Sequence, residues 1–211
     1  MTKINHQHIA FFDLDQTLSI HPLHQLWHDY LVAHAHIPGD TAHHIEAQAA
    51  ALKGQNVATL IALAKKLSHQ YFPQGFLPDA ITRIHWHQRR GDLIVILSSL
   101  PNVVVDAIVS HIPNALTLAP ELQSEQGQYT GRLYEQSKNY EQKALMLKLW
   151  LAAQPNANIS TSGYSESAAH LDWLKKMDRP FAVNPEPTLA LHAEQYEWTI
   201  FNWQHPQDIV R

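Results

Sequence analysis

Apolar residues along this chain follow two rhythms. Short unbroken runs, Ile9-Ala10-Phe11-Phe12, Leu93-Ile94-Val95-Ile96-Leu97 and Phe181-Ala182-Val183, read as buried strands. Between the first two lies a different pattern. Leu23, Leu26, Trp27, Tyr30 and Leu31 recur at helical spacing until Pro38-Gly39. Thr41 is placed to cap a second helix running to about Leu52 and ending near Gly54. Asn56 is placed to cap a third, with the stripe Val57, Leu60, Ile61, Ala64 and Leu67, which Phe72-Pro73-Gln74-Gly75 breaks. Downstream, the pattern predicts a helix over 78–90 closed by Gly91, the strand 93–97, a helix over 101–111 and a hairpin within 116–135. A helix over 140–153, a short strand over 158–162 and a helix over 167–177 follow. The strand 181–183, a helix over 187–194 and a last strand over 198–201 complete the order.

Strands without polar alternation belong to parallel sheets covered on both faces. The alternation of such strands with helices predicts an α/β fold: a doubly wound, mostly parallel, Rossmann-like sheet. A crossover between parallel strands needs one helix, yet the pattern places three before residue 75. The surplus predicts a helical cap over 18–75, inserted into an α/β core formed by 1–17 and 76–211.

Composition narrows the class. A chain of 211 residues, 45% hydrophobic, can build one core and a small accessory domain. It has no apolar run long enough to span a membrane. Met1–His6 lacks the apolar stretch of a signal peptide, so the expected location is cytoplasmic. Zero cysteines exclude disulfides and thiolate metal sites. A net charge of −4 without a Lys/Arg cluster argues against a nucleic-acid partner. The 16 histidines are scattered and form no zinc-protease motif.

The candidate chemistry sits at strand ends. Asp13 and Asp15 follow the first run, and alternation puts both side chains on one side of an extended chain. Thr17 comes two residues later. Ser98 directly follows Leu93–Leu97. Lys143 lies at a helix start after Asn139-Tyr140-Glu141-Gln142. Tyr164-Ser165-Glu166-Ser167 and then His170 follow another strand. In a doubly wound sheet these ends meet in one crevice. Taken singly, each has an ordinary reading. Ser98 would be a strand-end serine, Lys143 a surface lysine, Thr17 a cap, and Glu166 a first-turn carboxylate favoured by the helix dipole. Their order and placement together give them meaning.

In that order the chain resembles the haloacid dehalogenase superfamily, in its phosphoserine-phosphatase-like branch with a helical cap. Asp13, Asp15 and Thr17 match the Asp-x-Asp-x-Thr motif. Ser98 matches the second motif and Lys143 the third. The likeness extends through Gly131-Arg132-Leu133 and Phe181–Pro187. The fourth motif, Gly-Asp-Ser-x-x-Asp in the family, is altered. An ungapped count from Pro180 and Val183-Asn184-Pro185 sets Ser165-Glu166-Ser167-Ala168-Ala169-His170 on it. A second register sets Gly163-Tyr164 on Gly-Asp and loses both carboxylates; the first keeps one.

The resemblance implies a metal-dependent phosphatase that hydrolyses a small phosphate monoester through an aspartyl-phosphate. It implies Asp13 as nucleophile and Asp15 as acid/base. Thr17, Ser98 and Lys143 would bind phosphate. Asp13, Asp15 (through its carbonyl) and Glu166 would bind the metal, with His170 behind the metal's water. Mg²⁺ is the implied cofactor; the Glu166 and His170 replacements favour Mn²⁺ or Co²⁺. The implied partner is a small phosphorylated metabolite. The cap of relatives acting on phosphoserine carries an Arg, whereas 18–75 contains none, only Lys53, Lys65 and Lys66. Histidinol phosphate and phosphocholine-like or lipid-derived phosphates stay open. The altered motif leaves a second reading: a degenerate member that binds a phosphorylated ligand or a partner without turnover.

Overall fold

The computed structural model describes residues 7–72, 74–134, 143–154 and 158–203, with backbone only for 143–146. Six parallel strands form the main sheet. They are β1 (Gln7–Asp13), β2 (Leu93–Leu97), β3 (Ala115–Leu118), β6 (Ile159–Ser165), β7 (Arg179–Val183) and β8 (Thr199–Phe201), in the order β3-β2-β1-β6-β7-β8. The chain first builds outward from β1 through β2 to β3. It then returns to the other side of β1 with β6. Neighbouring connections therefore diverge between β1 and β6, which opens a crevice at their carboxyl ends. The doubly wound α/β expectation holds.

Alternation along β1 separates two cores. Ala10 and Phe12 face α4 (Pro78–Arg90), α5 (Asn102–Val109) and the inserted helices. Ile9 and Phe11 face α6 (Lys143–Ala152), α7 (Leu171–Leu174) and α8 (Pro187–Gln195). All four are fully buried, and each large side chain so removed from water contributes about 1.5–3 kcal/mol. Truncating Phe12, whose ring stacks on Tyr164 at 4.3 Å, would cost about 3–5 kcal/mol.

Three helices are inserted between Leu18 and Phe76, and their buried side chains, Trp27, Ala49 and Leu60 among them, join the same core as Ala10 and Phe12. The helices are α1 (Leu23–Ala33), α2 (Ile45–Ala51) and α3 (Val57–Tyr71). A bridge between Ser19 and Phe76, with Leu77 N–H bonded to the Leu18 carbonyl at 3.0 Å, ties the exit to the return. Asn56 caps α3 as expected, accepting from Thr59 N–H at 3.1 Å. Thr41 does not cap α2. That helix begins at Ile45, and the His44 ring accepts from Ala47 N–H. The hairpin falls within its expected span, as β4 (Leu122–Glu125) and β5 (Gln128–Leu133). Ala115–Leu118 leaves that span's start and joins the main sheet instead.

The largest departure concerns β6. It continues three residues past the expected end, to Ser165. Position 163, inside the strand, is a glycine because α7 and the residues after it lie so close. A Cβ there would meet Met177 Cγ at 2.6 Å and Trp173 Cζ3 at 2.8 Å. The helix expected over 167–177 is shorter: a 3-10 turn, Ala168–His170, leads into α7. The part of the 140–153 helix before Lys143 lies outside the described residues. Among the described residues, no helix is long and apolar enough to cross a membrane.

Candidate active site

The site is assembled where β1, β2 and β6 end. Parallel pairing aligns Asp13 with Leu97, so Ser98 is the next residue on the neighbouring strand. Leu14 N–H continues that ladder to the Leu97 carbonyl at 3.0 Å. On the other side Phe12 pairs with Tyr164, which brings Ser165 and Glu166 alongside Asp13. After Asp13 the chain must turn back at once. Gln16 does so with φ 58°, a left-handed conformation that costs a non-glycine residue free energy and recurs at functional sites. The turn aims Thr17 back at the strand end.

Asp13 is buried at 1% exposure. Its Oδ2 accepts from Thr17 Oγ1 at 3.3 Å. The same hydroxyl bonds Glu166 Oε2 and accepts from Glu166 N–H at 3.2 Å. Ser165 Oγ reaches Glu166 Oε2 at 3.3 Å and His170 Nδ1 at 2.6 Å. His170 Nδ1 lies 3.8 Å from Asp13 Oδ2. One ligand atom each from Asp13, Glu166 and His170 falls within 4.8 Å of the others. Two carboxylates brought together in a buried place repel each other, and a divalent cation relieves that repulsion. Two oxygens and an imidazole nitrogen fit such an ion, and the nitrogen favours a transition metal.

Asp15 is oriented differently. Its Oδ1 accepts from Leu23 N–H at 2.7 Å, and its Oδ2 accepts from His24 N–H at 3.4 Å. The His24 ring contacts Oδ2 through Nδ1 at 2.7 Å. The carboxylate thus stands at the start of α1, where the backbone leaves donors unsatisfied. Tyr71 is nearby, its hydroxyl accepting from His21 N–H at 3.3 Å. Burial pushes the Tyr71 phenol up to about 12, and the Asp15 charge adds to the rise.

Ser98 is buried and accepts from Leu100 N–H at 3.1 Å, which leaves the hydroxyl proton to donate elsewhere. Lys143 is the first residue of α6, but its side chain lies outside the described residues. Of the expected site residues, Asp13, Glu166 and His170 come together, and Thr17 bonds both carboxylates. The fourth-motif registers also separate. Tyr164 is fully buried, stacked on Phe12 and Phe181, so it cannot stand in for a metal-binding carboxylate at the crevice. Ser165 and His24 went unrecognised in the sequence. Ser165 could have been found from its place before Glu166; His24 carries no signal until α1 is positioned. A separate cavity of about 420 Å³ between α3, α5 and the hairpin is lined by Lys65, Asp106, Glu121 and Tyr129, and by none of these site residues.

A family model, haloacid dehalogenase-like hydrolase, matches residues 10–168. The chain belongs to that family. Its sequence is 23% identical over 222 residues to the histidinol-phosphatase of Neisseria meningitidis serogroup C (strain 8013), covering 94% of this chain and all of that protein. Its fold is similar to that of a protein of unknown function from Bordetella pertussis Tohama I, with TM-score 0.81, 22% identity, and 94% and 99% of the two chains covered. It is also similar to a probable phosphoserine phosphatase from Vibrio cholerae, with TM-score 0.65, 14% identity, and 97% and 63% covered. These likenesses establish the hydrolase fold.

Proposed function

We propose that this chain is a divalent-metal-dependent phosphatase of small phosphate monoesters, working through an aspartyl-phosphate on Asp13. The observation that carries the reading is the meeting of Asp13, Glu166 and His170 at the β1–β6 crevice in a member of a hydrolase family. The Asp13 carboxylate attacks phosphorus and splits hydrolysis into two easier steps. Asp15 protonates the leaving oxygen, then takes a proton from the attacking water. Ser98 donates to a phosphoryl oxygen, and Lys143 supplies the positive charge. Thr17, expected to bind phosphate, also orients Asp13 and Glu166 through its hydroxyl. Asp13, Glu166, the Asp15 carbonyl and the His170 ring would hold the cation, which offsets the repulsion between an anionic nucleophile and an anionic ester. Residues 18–75 serve as the cap over this crevice, on a core of 1–17 and 76–211.

The relative named histidinol-phosphatase, matched over its whole length, makes histidinol phosphate the first substrate to try. Phosphoserine is disfavoured because 18–75 offers no guanidinium for its carboxylate. The test is phosphate release from histidinol phosphate, phosphoserine and 4-nitrophenyl phosphate with Mg²⁺, Mn²⁺ and Co²⁺. We expect metal-dependent turnover that Asp13→Asn abolishes. If no metal supports turnover, yet Glu166→Asp with His170→Asp creates it, the chain is a phosphate-ligand binder instead.

A further inference from the structure

We propose that His24, at the start of α1, is a positioning residue that holds the Asp15 carboxylate in line for proton transfer and so ties the inserted helices to the chemical step. The inference rests on the phosphatase reading above. Its ground is the way Asp15 is held. Both oxygens are engaged from a single helix start: Oδ1 by Leu23 N–H at 2.7 Å, Oδ2 by the His24 ring at 2.7 Å and, at 3.4 Å, by His24 N–H. Asp15 is two residues beyond Asp13, on a turn held by Gln16 in a left-handed conformation. A free carboxylate there would rotate about χ2, which is a broad two-fold torsion. With Oδ1 and Oδ2 each given a partner on α1, that rotation is stopped.

The helix start alone would hold Oδ1 closely and Oδ2 only through the 3.4 Å bond from His24 N–H. The ring, at 2.7 Å, supplies the short contact to Oδ2 and fixes the plane of the carboxylate. Proton transfer needs heavy atoms within about 2.6–3.2 Å, and a misplacement of about 1 Å can cost about 10²-fold. The residue is also suited to a test, because its side chain is 47% exposed and packs in neither core. Substitution there removes little packing, and urea unfolding of each variant checks that the fold is kept.

Leaving-group dependence separates positioning of an acid from general damage. An acid matters little when the departing oxygen is already a stable anion and much when it is not. Full-length wild type, His24→Leu and His24→Asn are compared on 4-nitrophenyl phosphate, phenyl phosphate and 4-methoxyphenyl phosphate, with Asp15→Asn as reference. The expected result for His24→Leu is a loss about tenfold larger for the phenyl and methoxyphenyl esters than for the nitrophenyl ester, a part of the roughly 10²–10⁴ that proton transfer contributes. His24→Asn, whose amide can donate from nearly the position of Nδ1, restores most of it. A uniform loss across the esters, no loss, or a faster His24→Leu enzyme overturns the positioning role while leaving the phosphatase reading intact. Turnover that survives Asp13→Asn overturns both. If wild type turns over no ester, the ¹⁵N shift of His24 Nδ1 decides whether the contact exists: it must move in Asp15→Asn, and an unchanged shift removes the contact and the inference with it.

Discussion

The two edges of the main sheet hold the same kinds of side chain in opposite circumstances. At the carboxyl edge, Asp13, Glu166 and His170 gather within 4.8 Å. At the amino edge, His8, His87 and Asp92 gather within the same limit. By distance alone either trio could hold a metal. Their surroundings differ. His87 Nδ1 meets Asp92 Oδ2 at 2.8 Å, and its Nε2 meets the Tyr164 hydroxyl at 2.9 Å. Arg90 Nε donates to Asp92 at 3.1 Å, and Arg83 Nε donates to Tyr164 at 2.8 Å. Here one carboxylate is matched by cations and neutral donors, under aromatic rings. At the other edge two carboxylates share one hydroxyl, that of Thr17. The first arrangement sets one carboxylate against an arginine and neutral donors, and the second brings two carboxylates onto one hydroxyl, a donor set that suits a divalent cation better. Ligand types near one another do not by themselves make a site; the balance of charge among them matters as well.

The sharpest way to break this contrast is to remove charge at the carboxyl edge. Asp13→Asn keeps shape and burial but leaves an amide where the nucleophile should be. Phosphate release should fall on the order of 10⁴-fold or more, as for loss of other catalytic side chains, with an unchanged circular-dichroism spectrum. Near-normal turnover in a clean sample would end the covalent mechanism.

The amino edge should reveal itself in stability. Burial pushes the His87 imidazole down to about 4, against the opposing pull of its Asp92 bond. The side chain is 1% exposed, so solvent does not screen the effect. The folded state therefore binds a proton less readily than the unfolded chain, whose histidine titrates near 6.5. Above that pH both states are neutral and the group adds no pH dependence. As pH falls from about 6.5 to about 4 the unfolded state gains the proton, and up to about 3 kcal/mol of stability is lost. Urea unfolding of wild type against His87→Gln over that window measures it. Parallel curves would show that His87 is not held neutral.

Much of this was legible in the sequence, and what was not has physical causes. Asp13, Asp15 and Thr17 lie at a strand end and in the turn after it, so the motif locates them without tertiary information; alternation does not carry past Asp13, because the chain leaves the extended path there and Asp15 turns to α1. Ser98 follows an unmistakable apolar run. The end of β6 was hidden because a glycine interrupts the strand pattern at 163, while the reason for that glycine is the close approach of Met177 and Trp173, 10 or more residues away in sequence. The amino-edge network was hidden because His8 and His87 come from segments far apart in the chain. One signal was present. Ser160, Ser162 and Tyr164 alternate, so they share a strand face, and β1–β6 pairing sets Ser160 beside His8.

A smaller effect sharpens the contrast at the metal. His170→Asp restores the family's usual side chain at the position where an imidazole now stands. Replacing one group around a metal changes affinity about 10–100-fold. We expect Mn²⁺ or Co²⁺ to bind wild type more tightly than Mg²⁺, and His170→Asp to shift the ratio toward Mg²⁺ by about tenfold. Isothermal titration reads this without turnover. An unchanged ratio would remove His170 from the ligand set.

The smallest effect tests whether the amino edge is as closed as its hydrogen bonds indicate. His8 Nδ1 lies 2.6 Å from Ser160 Oγ and its Nε2 3.0 Å from Ser162 Oγ. Its ring stacks on His87 at 5.7 Å. An ion there would have to displace these contacts together with the His87–Asp92 and Arg90–Asp92 bonds, each contributing about 0.5–3 kcal/mol. His8→Asn should therefore cost only about 1 kcal/mol of stability, the scale of one hydrogen bond, and leave turnover unchanged. Co²⁺ should bind once per chain in wild type and in His8→Asn, and lose that site in Glu166→Gln. A second Co²⁺ equivalent that disappears with His8→Asn would mean that both edges of the sheet hold metal, and that hydrogen-bond saturation had concealed a site rather than closed it.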